Sequence, residues 1–136
     1  MGTWGTGAFE NDNALDWIGE FCEDPGDAGL RAALLAAADA DGVLEATEAE
    51  SALAAAEIVA ALKGAPTTDA VVVEDYLPII TRASIPVGAE LSALALRAID
   101  RVVSDSELKE LWDELEDATA WYDEVAALRQ RVVHPR

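Results

Sequence analysis

Apolar residues recur every three or four positions along nearly the whole chain, the period of an amphipathic helix. Asn11 or Asp12 is placed to cap a first helix, in which Ala14, Ile18, Phe21 and Cys22 share one side and Asp16, Glu20 and Glu23 take the other. The sequence Asp24-Pro25-Gly26-Asp27 breaks that helix and starts a second, with Leu30, Ala33, Leu34, Ala37 and Ala38 inward and Gly42 as its stop. Thr47 followed by Glu50 reads as a capping box for a third helix that buries Ala49, Ala52, Leu53, Ala56, Val59 and Ala60 and stops at Gly64. Its small inward residues predict a close approach between helices.

Residues 65–87 carry the weakest pattern. Val71 to Val73 would suit a strand, but a lone strand has nothing to pair with here. A short helix capped by Asp69 and ending near Pro78 is the expectation. Glu90 to Val103 predicts a helix with Leu91, Leu94, Ala95, Ala98, Ile99 and Val102 inward. Ser104 and Glu107 read as a second capping box, opening a long last helix over about 105–131 with Leu108, Leu111, Trp112, Leu115, Thr119, Tyr122 and Val125 as its stripe. Such a helix would span about 40 Å, several times the radius of gyration of about 14 Å expected for a chain of this length. Its end would then project or meet a second subunit.

The expected fold is therefore all-α: one domain over residues 1–136, an irregular bundle of five to six helices. A Gly- and Trp-rich N-terminal segment, carrying Trp4 and Phe9, is expected to pack on it, with Trp17 nearby. A chain of 136 residues can bury enough surface for one core without staples.

Three stretches carry a family resemblance. They are the opening MGTWGTGAFENDNALDW, the segment from Leu44 to Gly64 and the segment from Ala95 to Trp112. Together they resemble a bacterial family known as domain-of-unknown-function family 4259. The resemblance covers most of the chain and implies no particular activity, cofactor or site residue.

Charge narrows the function classes. The net charge is −18. Residues 1–62 hold thirteen acids against one base, and residues 105–124 hold nine acids against one base. The last twelve residues are basic, with three Arg. A field of this sign repels nucleic acid and anionic membranes and attracts cations and basic proteins. The same charge also serves solubility. No segment approaches the length of a membrane span, and the opening lacks the basic and apolar stretches of a secretory leader, so the cytoplasm is the expected location. Gly2 followed by Thr6 fits a myristoylation pattern, but one acyl chain anchors weakly without a basic patch.

Candidate chemistry is thin. The single Cys22 excludes an internal disulfide and a thiolate cluster, and its apolar neighbours predict a buried, inert thiol. The only histidine, His134, lies near the end, which leaves a Ser or Cys nucleophile without a base. The glycines of the opening lack the Lys and Ser/Thr of a phosphate loop, and Glu10 and Asp12 would repel a phosphate there. Glu20/Glu23, Glu45/Glu48 and Glu107/Glu110 are spaced like the inward carboxylates of helical metal-dependent pyrophosphohydrolases, yet Glu20, Glu23 and Glu110 lie away from the apolar stripes of their helices.

Asp39, Asp41, Glu45 and Glu48 form the best metal candidate. Around Gly42 they match four positions of a calcium loop, with Leu44 at the aliphatic position, but Ala37 stands where the first carboxylate belongs. Two helix boundaries lying back to back explain the same residues.

No cofactor is expected. The favoured reading is a non-catalytic acidic module that binds a basic protein partner, for example an inhibitor or immunity-type protein covering a basic active face. Asp113, Glu116, Asp117 and Trp121 are the expected contact residues; Trp121 lies off the apolar stripe, and partial burial against the Gly-rich N-terminal segment is the alternative reading for it. The competing readings are a divalent-cation protein or metal-dependent hydrolase built on Asp39–Glu48, and a homo-oligomer formed through the last helix.

Overall fold

A computed structural model describes Thr3 and residues 5–134. Among these residues the chain forms seven α-helices: α1 Asp12–Glu23, α2 Asp27–Ala38, α3 Ala46–Leu62, α4 Leu77–Ala83, α5 Ala89–Ser104, α6 Glu107–Asp113 and α7 Ala118–Val133. They make one all-α bundle. The only β-type pairing among the described residues is an isolated antiparallel bridge between Thr3 and Asn11. Phe9 of the N-terminal segment is buried, while Trp4 lies outside the described residues.

α3 is the axis of the bundle and packs against each of the other six helices. The expected one-sided apolar stripe is therefore too narrow. Every residue from Ala52 to Ala60 is buried, as a helix apolar on all sides requires. Six of the buried residues on α3 are Ala, and these small side chains let neighbours approach from every direction. α3 ends in a Schellman turn: Ala65 N–H donates to Ala60 O at 2.9 Å and Gly64 N–H to Ala61 O at 3.0 Å. Gly64 sits at φ +99°, which a side chain there would strain.

Around this axis the predicted faces of α1 and α5 are the observed ones. Ala14, Ile18 and Phe21 are buried on α1, and all six residues expected inward on α5 are buried. Asn11 caps α1, its Oδ1 accepting from Ala14 N–H at 2.8 Å. Cys22 is half-buried rather than enclosed, and burial raises its thiol pKa. Residues 70–83 are helical, and Asp69 Oδ1 accepts from the N–H groups of Val71 and Val72. The helix continues past Pro78 to Ala83 rather than ending near it. A π turn at Val72–Tyr76 precedes the proline, and Leu77 N–H donates to Val72 O five residues back. This wider turn takes the backbone out of the register in which a proline ring meets the carbonyl four residues before it.

Two capping boxes are not formed. Thr47 lies inside α3, where its carbonyl accepts from Asn13 Nδ2 at 2.8 Å. Ser104 closes α5, and Ser106 caps α6 instead, its Oγ accepting from Lys109 N–H at 3.0 Å and donating to Val102 O at 2.6 Å. Glu107, cast as half of a local box, reaches across the bundle: its Oε1 accepts from Ala46 N–H at 2.9 Å, and its own N–H donates to Leu44 O at 2.9 Å. A remote carboxylate thus caps α3. Ser106→Ala should cost about 1–2 kcal/mol of unfolding free energy by loss of a buried cap, whereas Ser104→Ala should stay within about 0.5 kcal/mol. Urea unfolding of both variants checks this, and equal losses would put the cap in the wrong place.

The single long C-terminal helix is also corrected. It breaks at residues 114–117, between α6 and α7. Asp113, Glu114, Glu116 and Asp117 crowd this stretch, and like charges three and four apart weaken a continuous helix. At the start of a new helix, Glu116 and Asp117 instead meet the positive end of its dipole. The projecting 40 Å rod of the sequence reading is thereby removed, and α7 returns along α3 and α5.

Candidate functional site

The loop between α2 and α3 and the first turn of α3 hold the four carboxylates of the metal reading, and the structure does not bring them together. Asp39 pairs with Arg97 of α5. Asp41 is exposed, Glu45 occupies the N-cap position of α3 and Glu48 is exposed in its first turn. A cation of the chain's own already holds two carbonyls of this loop: Arg101 donates from Nη1 to Ala40 O at 2.9 Å and from Nη2 to Gly42 O at 2.6 Å. Two guanidinium groups thus supply the positive charge of this loop. Among the described residues no three His, Cys, Asp or Glu side chains converge as metal ligands do.

The four expected contact residues divide. Glu116 and Asp117 are exposed in the turn between α6 and α7. Asp113 is exposed but committed: its Oδ2 accepts from Lys109 Nζ at 2.6 Å and its Oδ1 from the Tyr122 hydroxyl at 2.8 Å. The hydrogen bond from Lys109, then that from Tyr122, holds the Asp113 carboxyl below its ordinary pKa. This cluster ties α7 to α6. Trp121 is not an exposed contact. Only 2% of it is accessible, and its ring stacks on that of Trp112, centroids 6.2 Å apart.

With Trp121 inside, other apolar residues come out. Leu111 and Leu115, both assigned to the buried stripe, are 49% and 55% exposed. They flank an open notch of about 410 Å³ whose floor includes Leu108 and Trp112. Glu50 and Glu114 border it. Glu50 is half-buried, and burial raises its carboxyl pKa. A second, wider groove of about 590 Å³ lies where α1, α2 and α3 meet, with Trp17 stacked on Phe21 at 5.2 Å and Glu20, Asp24 and Glu48 along it.

One charged pair escaped the sequence reading. Glu57, in the middle of α3, is 5% exposed. Its two oxygens accept from Arg131 Nη1 at 2.8 Å and Nη2 at 2.9 Å. Beside it, Lys63 Nζ donates to Val132 O at 2.6 Å. The signal was present: a lone Glu inside the run AAAEIVAAL must find a cation, because a buried charge is paired. These contacts fasten the end of α7 to α3.

The class defined by this geometry is an acidic all-α bundle, with two exposed leucines, Leu111 and Leu115, on and just after α6. The chain belongs to the family described as a domain of unknown function, DUF4259, whose profile matches residues 2–124. No curated protein and no solved structure matches it. No helix among the described residues is long and apolar enough to cross a membrane.

Proposed function

We propose that this protein is a non-catalytic module that binds a basic protein partner, in the manner of an inhibitor that covers a positively charged face. The observation that supports the reading most is the exposure of Leu111 and Leu115 within a segment, residues 105–124, that has nine acids and one base. The one base, Lys109, is bonded to Asp113. Apolar groups among carboxylates suit a partner that offers both cations and apolar surface. Steering by this field would speed association and make it salt-sensitive.

The test uses a basic partner captured at low salt beside a charge-matched acidic control protein. Glu116→Lys with Asp117→Lys should slow its association about tenfold at low ionic strength, with little change in dissociation. Asp113 is left in place because its reversal would break the contact between α6 and α7. Unchanged association kinetics, or a capture no different from the control, would refute the module.

A further inference from the structure

We propose that the notch at α6 is the seat of an amphipathic basic segment of that partner, an aliphatic side chain entering between Leu111 and Leu115 while a neighbouring Lys or Arg meets Glu50 and Glu114. The inference rests on the binding reading above and adds the place and the chemistry of the contact.

The shape supplies the apolar half. Leu108 and Trp112 are buried at the base of the notch, and Leu111 and Leu115, four residues apart, stand open beside it. Covering two such leucines is favourable in proportion to the apolar area removed from water.

Charge supplies the other half and selects the occupant. Glu50 faces the notch from α3, and Glu114 from the turn after α6. Among the described residues neither carboxylate takes part in an ion pair. Glu50 is half-buried, and an arriving cation offsets the cost of burying its charge. A second copy of this chain would bring another acidic surface, and the net charge of −18 opposes such a pairing. An anionic membrane is repelled on the same ground. A segment carrying both aliphatic and basic side chains satisfies the leucines and the carboxylates together.

The probe is a synthetic amphipathic helix of Leu and Lys, compared with a peptide of the same length and charge in which Ser replaces Leu. Binding to the full chain is measured by titration calorimetry at physiological salt. The Leu/Lys peptide should bind at least about tenfold more tightly than its Ser counterpart. Leu111→Ser with Leu115→Ser should remove that advantage while leaving the helical signal and the melting temperature unchanged, since both leucines are exposed. Glu50→Gln with Glu114→Gln should weaken the Leu/Lys peptide several-fold. Equal binding of the two peptides, full affinity in the leucine variant, or no binding of either peptide would each overturn the notch as the seat. The module reading is judged apart, by the association rate of the captured partner with the Glu116/Asp117 variant. A partner whose binding ignores the leucine change but responds to that charge reversal would leave the module standing and the notch refuted.

Discussion

Arg131→Ala should destabilise the protein by about 3–5 kcal/mol, a large fraction of the stability of a domain this size. The reason lies in Glu57. Its carboxylate is buried between α3 and α7 and is held by two parallel hydrogen bonds from one guanidinium. Removing the cation leaves the charge in place with no compensation, and that state costs more than the intact pair contributes. Arg131 also donates to Ala65 O at 3.2 Å, so the turn that ends α3 loses a donor in the same variant. The double change Glu57→Leu with Arg131→Leu removes both charges at comparable volume and should recover most of the loss. Urea unfolding of the two variants beside the native chain checks the pair. A loss below about 1 kcal/mol for Arg131→Ala would mean that water reaches Glu57 and that the pair is a surface contact.

That pair also marks what could be read in the sequence. Elements whose apolar residues face one way were legible: α5 shows all six expected inward positions, and α1 shows Ala14, Ile18 and Phe21 under the Asn11 cap. α3 was legible as a helix but not as the axis, because a period of small residues does not reveal how many neighbours will surround them. Capping boxes were misplaced for a related reason. Thr47 and Ser104 satisfy a local spacing rule, but α3 already begins at Ala46, whose N–H donates to Glu107, 61 residues further along the chain, and α6 is capped by Ser106. The acids around Gly42 were legible as a loop between helices. Arg97, which pairs with Asp39, and Arg101, which donates to the carbonyls of Ala40 and Gly42, lie on α5 and are met only once the bundle is assembled. In each case the local pattern set the element, and a distant side chain set its chemistry.

Trp121→Ala should cost about 3–5 kcal/mol, lowering the melting temperature by roughly 10–20 °C. In one continuous helix, Trp112 and Trp121 would be nine residues apart and turned about 180° from each other. With Trp112 in the core, Trp121 would then face solvent, and its removal would change little. The break at residues 114–117 resets that phase. Both indoles are buried, their planes lie 9° apart, and Tyr122 meets Trp121 edge-on at 5.0 Å. Leu115 lies within that break and is exposed, and Leu111, four residues earlier on α6, is exposed beside it. Leu111→Ala in the same background should stay within about 0.5 kcal/mol. Thermal unfolding of both variants separates the two geometries. A Trp121 variant as stable as the native chain, with Leu111→Ala destabilising, would restore the continuous helix and close the notch. The predicted order, with Trp121 costly and Leu111 nearly free, fixes the break at residues 114–117, and Glu114, one of the charges in that break, borders the exposed leucines.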